Sequence, residues 1–300
     1  MRQRSTYLVG IVLTLIVGTF FNWWLCCGNP NAAAAATMEK ENTALRNPLV
    51  FSDPEASFDY RTNQNFNFLV SDYLIMRPLS DSIAMGVDQV AAYLEANPGK
   101  VISITGYFGE DEENRSPFPN LGIARATHIK NYFIARGVPA SQIDYEGKPS
   151  SNLLKKDSVY YGPVGFSFSG DLPEASGVDS LGKQIRDNPL VVYFDYGESD
   201  IELTQEQREK VADISRYIHL DTTATFHIIG HTDNSSSAKF NLELGLKRAA
   251  FVRDYFVTHG IPADRITIAS EGETQPIADN NTRAGRAKNR RTVITISITE

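Results

Sequence analysis

Thr225-Phe226-His227-Ile228-Ile229-Gly230-His231-Thr232-Asp233 runs from a β-rich stretch into a glycine and an acid, and Arg248-Ala249 follows fifteen residues after that acid. Thr225 to Ile229 reads as a strand ending at Gly230. The arginine falls inside a helical pattern from about Phe240 to His259, whose inward stripe is Gly245, Ala249, Val252 and Phe256. Asn241 and Arg248 are seven residues apart, nearly two turns, so both project from one helix face. Asp233 leaves the neighbouring strand end and can approach that face. Asp195 closes the alternating run Leu190, Val192, Phe194 and brings a second acid to the same sheet edge. An acid and a base facing one pocket suit a zwitterion, a ligand with both an ammonium and a carboxylate. The competing reading is an Asp233–Arg248 ion pair that only holds strand to helix.

Working outward, Thr204 with Gln207 three positions on is a capping box, and Val211, Ile214 and Ile218 line the helix it opens. Gly260 followed by Ile261-Pro262 stops the second helix. Arg265 to Ala269 and Thr292 to Ile298 read as the third and fourth strands. The order β-α-β-α-β-β predicts an α+β fold, a mixed sheet with helices on one face.

The chain repeats this plan. Leu121-Gly122-Ile123-Ala124-Arg125-Ala126 matches Leu244-Gly245-Leu246-Lys247-Arg248-Ala249. Tyr132-Phe133 matches Tyr255-Phe256, and Gly137-Val138-Pro139-Ala140 matches Gly260-Ile261-Pro262-Ala263. Two tandem domains are expected, 59–170 and 189–300, with a linker at 171–188 and an Asn-, Ala- and Pro-rich tether at 28–58.

These residues resemble the OmpA-like peptidoglycan-binding domain, a family that also includes MotB-type proteins. The resemblance covers nearly all of 189–300. It rests on Gly230-His231-Thr232-Asp233, Asn241 with Leu244 and Arg248-Ala249, and Gly260-Ile261-Pro262. Gly272-Glu273, Pro276, Asn281-Thr282, Gly285-Arg286-Ala287 and Asn289-Arg290-Arg291 extend it. The resemblance implies that Asp233 holds the ammonium of diaminopimelate in the peptidoglycan stem peptide and that Arg248 holds its carboxylate. It also implies that Asp195, Thr232 and Asn241 line the pocket. Gly245 stands where the family usually has serine, Ser270 where it has glycine, and Thr292-Val293 where it has Val-Glu. The chemistry agrees, because an arginine fork binds a carboxylate bidentately.

In the first copy Gly106-Tyr107-Phe108-Gly109 replaces Gly-His-Thr-Asp, although Arg125 remains. Glu110 to Glu113 places acids nearby, on what reads as a variable loop. That copy is expected not to bind diaminopimelate in the usual way, and to serve as a spacer or a docking module. Arg283, Arg286, Lys288, Arg290 and Arg291 form a basic segment before the last strand. It reads as a solvated edge in which Arg290 or Arg291 stabilises the fold, with direct glycan contact as the alternative.

His231, Asp233 and Ser235 to Ser237 offer triad residue types without a nucleophile elbow, so no enzyme is expected. His227 and His231 sit four apart on a strand, which is not the helical spacing of a metal pair, and no metal or cofactor is expected. Hydrophobic residues at 42% and charged ones at 22% argue against long disorder. A formal charge of −7 argues against a nucleic-acid partner.

Arg2 and Arg4 precede an apolar run, 7–27, long enough to span a bilayer, and the short segment 1–6 is placed in the cytoplasm. Cleavage near Ala32 to Ala36 is the alternative. Gly10, Thr14 and Gly18 recur every four residues, a pattern that brings two helices together as a homodimer. Cys26 and Cys27 are adjacent and report no disulfide framework. The expectation is a membrane-anchored envelope protein, its domains in the periplasm, anchored in the inner membrane with the outer membrane as alternative. It would bind peptidoglycan non-covalently. A stator-like or accessory subunit of an envelope motor or secretion complex is the second reading, and a hydrolase the third.

Overall fold

Leu49–Asp53 (β1) and Phe58–Thr62 (β2) pair as an antiparallel hairpin in a computed structural model that describes residues 47–170, 175–195, 202–221 and 223–297. Leu49 and Phe51 are buried in the core of the strands beyond them, and the compact unit begins at Asn47. The tether expected over 28–58 therefore ends earlier than its composition suggests. Composition hid this strand, since its alternation spans only five residues. The apolar run 7–27, with Gly10, Thr14, Gly18, Cys26 and Cys27, lies outside the described residues. Among the described residues no helix is long and apolar enough to cross a membrane.

Asn67–Leu69 (β3) and Asp81–Ala96 (α1) lead to Val101–Phe108 (β4), Leu121–Ala135 (α2) and Ile143–Pro149 (β5). Lys155–Lys156 (β6), Val159–Tyr161 (β7) and Val164–Ser169 (β8) come after them. The sheet order is β5-β4-β8, with β4 parallel to β5 and antiparallel to β8. A small sheet, β3-β7-β6, stands apart from it and has no counterpart in the sequence reading.

Ala175–Asp187 (α3) occupies most of the expected linker 171–188 and carries a buried Ile185. Leu190–Tyr193 (β9), Gln205–Leu220 (α4), Thr225–His231 (β10), Ala238–Thr258 (α5) and Ile266–Gly272 (β11) come next. Arg283–Asn289 (α6) and Arg291–Ser297 (β12) complete the described chain. The order β11-β10-β12-β9 pairs β10 with β11 in parallel and the other neighbours antiparallel, the mixed sheet expected. Helix α6 is an addition to the predicted order. Its sequence, RAGRAKN, has no apolar stripe to announce it, and Thr282 opens it by accepting from Gly285 N.

Strand residues Leu190, Val192, Phe226, Ile228, Ile294 and Ile296 share one core with Val211, Ile214 and Ile218 of α4. Ala249, Val252 and Phe256 of α5 join the same cluster. Full burial of a large aliphatic or Phe side chain contributes about 1.5–3 kcal/mol. The capping box is present: Thr204 Oγ1 accepts from Gln207 N, and Gln207 Oε1 accepts from Thr204 N.

Two backbones touch where the site is built. A Cβ on Gly230 would collide with the Gly245 carbonyl, so β10 and α5 meet main chain to main chain. Gly106 of β4 and Gly122 of α2 repeat this contact. Helices α2 and α4 also meet. Lys130 Nζ lies 3.2 Å from His219 Nδ1, and Arg216 donates to the Tyr145 carbonyl at 3.3 Å.

Candidate functional site

The contact between Gly230 and Gly245 sets where the next residues of each element stand. Beyond Gly230 the strand delivers His231, Thr232 and Asp233, and Arg248 sits three residues beyond Gly245 on α5. All four are at most 6% exposed. Ser237 caps α5 by accepting from Phe240 N, and Thr232 N donates to the Gly272 carbonyl at 2.8 Å, pinning the loop to β11.

Arg248 is 1% exposed and its guanidinium lies 5.2 Å over the Phe194 ring. Nη1 donates to the His231 carbonyl at 3.5 Å, while Nε and Nη2 have no hydrogen-bond partner among the described residues. Burial and then the neighbouring Arg290 work against its charge, and Asp233 favours it, with a net downward shift. Unpartnered buried donors on a cation are costly, and a carboxylate acceptor would satisfy both of them.

Asp233 pairs with Arg290, whose Nη1 lies 3.0 Å from Oδ2, and it accepts from Ser235 N at 3.0 Å. Burial works to raise its carboxyl, but the hydrogen bonds from Ser235 and the charge of Arg290 outweigh it and hold it below the usual value. The structural ion pair weighed between Asp233 and Arg248 is therefore not made. Asp233 has a different partner, and Arg248 forms no ion pair among the described residues.

Asn241 is 1% exposed, and its Nδ2 donates to the Ser236 carbonyl at 3.1 Å and to Glu273 Oε2. Thr232 Oγ1 is buried without a partner. Asp195 lies just beyond β9, next to the Phe194 that packs under Arg248, and unlike the others it is exposed. Sequence reasoning did not find Phe194 under Arg248, Glu273 beside Asn241, or the specific pairing of Arg290. Arg290 and Arg291, either of which the sequence marks for a structural role, both take one: Arg291 Nη2 donates to the Gln275 carbonyl at 3.1 Å.

The triad residue types do not form a catalytic chain. Ser237 is a helix cap, Ser235 N serves Asp233, and the buried Nδ1 of His231 has no partner. Burial, then Arg291, pushes His231 down to about 4, so it is neutral at physiological pH. His227 Nδ1 meets Thr267 Oγ1 instead of His231.

In the first sheet Arg125 makes the contact that Arg248 makes: its Nη1 donates to the carbonyl of Tyr107, the residue after the touching glycine, at 2.9 Å. There the remaining donors are satisfied. Glu112 meets the guanidinium through both oxygens, at 2.5 and 3.0 Å, with both side chains fully buried.

The model of the OmpA family matches residues 78–159 and 193–290. Outer membrane protein A of Bordetella avium is 37% identical over 105 residues, 35% of this chain and 53% of that protein. Peptidoglycan-binding protein ArfA of Mycobacterium tuberculosis is 44% identical over 70 residues, 23% of this chain and 22% of that protein. The chain thus spans about half or less of the length of these relatives. The peptidoglycan-associated lipoprotein of Burkholderia pseudomallei has a solved structure with a TM-score of 0.33 and 28% identity, covering 36% of this chain and 89% of that one.

Proposed function

The chain belongs to the OmpA family, and from that premise we propose that it binds peptidoglycan non-covalently through the diaminopimelate of the stem peptide. The observation that carries this reading is the buried Arg248 guanidinium with Nε and Nη2 unpartnered, beside a charged Asp233. In this reading Arg248 takes a ligand carboxylate in a bidentate grip, and Asp233 holds the ammonium while Arg290 holds Asp233. Thr232 Oγ1 supplies a further polar contact, Asn241 shapes the wall, and Asp195 stands at the rim. Hydrogen bonds to charged groups contribute roughly 1.5–3 kcal/mol each. Repetition along a polymer then adds avidity.

The site belongs to the second of two tandem OmpA-like domains, the first of which does not bind the stem peptide. A single membrane-spanning helix at 7–27 would anchor them from the inner membrane into the periplasm, with homodimer contact through Gly10, Thr14 and Gly18. Membrane is thereby tethered to wall. The family is a binding family, and the Ser, His and Asp geometry above supports that against hydrolysis.

Co-sedimentation with diaminopimelate-type sacculi tests the site. Asp233→Asn and Arg248→Ala should each abolish pelleting while the thermal melt stays cooperative. Unchanged pelleting of both variants would sink the assignment. Zymography on the same sacculi should show no clearing. Cross-linking through Cys26 or Cys27 should trap dimers, and monomers alone would count against helix pairing.

A further inference from the structure

We propose that the first sheet carries a second carboxylate-binding site, built on Arg125, whose occupant is the chain's own Glu112. Three observations converge on it. Arg125 occupies the place of Arg248, three residues beyond a helix glycine that touches a strand glycine, and each arginine donates from Nη1 to the carbonyl after that strand glycine. The two donors that lack partners on Arg248 include Nη2, and on Arg125 that nitrogen meets Glu112 Oε1 at 2.5 Å. The carboxylate is also received by backbone amides, Ser71 N on Oε1 and Gly109 N on Oε2, both at 2.8 Å.

This is how a ligand carboxylate is held: one bidentate arginine and two main-chain donors, enclosed by the Phe68 and Tyr160 rings, each 5.4 Å from the guanidinium. The occupant arrives from a loop instead of from solution. Beside it a surface cavity of about 570 Å³, lined by Gly109, Asp111, Lys155 and Tyr160 among others, shares Gly109 and Tyr160 with the pair. Neither Arg125 nor Glu112 lines this cavity, so a small carboxylate would reach Arg125 only through the space that removal of the Glu112 side chain opens behind Gly109 and Tyr160. Of the two matched arginines, Arg125 is thus closed by an internal ligand, while Arg248 keeps two donors without partners among the described residues. The inference concerns Arg125 alone and does not depend on what Arg248 binds.

The test is chemical rescue in the full chain. Glu112→Ala leaves a buried, unpaired guanidinium and should lower the melting temperature by roughly 10 °C in chloride buffer. Acetate replacing chloride at equal ionic strength should recover a saturable part of that loss. Glu112→Ala/Arg125→Met should show no such recovery, and because both variants keep Arg248, any response from that residue cancels between them. Equal shifts in the two variants, or no difference between acetate and chloride, overturn the proposal. If Glu112→Ala does not fold in chloride, refolding in acetate is the readout: folded protein in acetate alone supports it, and none in either salt overturns it.

Discussion

Arg290 Nη1 lies 3.0 Å from Asp233 Oδ2 across 57 residues of chain, and the two side chains are 12% and 7% exposed. The same guanidinium donates from Nε to the Phe194 carbonyl at 3.2 Å, so one residue fixes both the acid and the residue just past β9 that lies under Arg248. Removing one partner of a buried pair leaves an uncompensated charge. Arg290→Met should therefore cost about 3 kcal/mol in urea denaturation. Asp233→Asn should cost less, because its amide oxygen still accepts from Arg290. A loss below about 0.5 kcal/mol for Arg290→Met, the size of an exposed pair, would show that the contact does not hold the site.

Binding should be insensitive to pH from 5 to 8. Asp233 is held below the usual carboxylate value, so it stays charged throughout that range. His231, pushed down to about 4 by burial and then Arg291, stays neutral. The bound fraction of protein on sacculi, measured at constant ionic strength, should be flat and fall only in stronger acid. A drop centred near 6.5 would instead assign His231 a charged role.

Stability should respond to pH through the joint between α2 and α4. Lys130 is buried, with Nζ 4.1 Å from the Tyr145 ring centroid, and burial and then Arg216 push it down to about 7, opposed by Asp144. The unfolded lysine keeps its proton to about 10.4. The unfolded state then binds more protons from pH 7 upward, so stability rises between pH 7 and 9. His219 facing it is lowered to about 3, chiefly by burial and then Lys130, which makes stability rise between about 3 and 6.5 as well. Lys130→Met should flatten the upper slope and raise stability at pH 7, read from denaturant curves at pH 7, 8 and 9. A slope unchanged by the substitution would place its cause elsewhere.

What could be read from sequence was what repeats locally. The stripe of α5, the capping box at Thr204, the strand alternation and the Gly-His-Thr-Asp run each declare themselves within a few turns, and all lie where their patterns put them. Partners separated by long loops left no such trace. Arg290 sits among five cations with no apolar period, so nothing local distinguishes it as the residue that reaches Asp233. Glu112 looks in sequence like one acid in a variable loop, and its burial against Arg125 depends on the path of the chain between Gly109 and Asn120. Helix α3 carries a regular stripe, Val178, Leu181 and Ile185 at helical spacing, and only its Gly- and Ser-bearing composition gives the segment the look of a linker.

Gly245 and Ser270, the two positions that the resemblance sets apart from the usual serine and glycine, face each other across α5 and β11. A Cβ on Gly245 would collide with Ser270 Oγ and also press on the Gly230 carbonyl, so the serine on β11 fills part of the room that the glycine on α5 leaves. Ser270 Oγ also accepts from Gly272 N at 3.2 Å, which ties it to the strand end. Gly245→Ser alone should overpack this contact and destabilise by about 1–3 kcal/mol. Ser270→Gly alone should cost less, about 1 kcal/mol, through the lost hydrogen bond and the freer backbone. The double variant removes the collision with Ser270 but not the close approach to the Gly230 carbonyl, and it should be more stable than Gly245→Ser, with a coupling of about 1–2 kcal/mol in a double-mutant cycle. Strict additivity of the two changes would mean that the positions adapt independently.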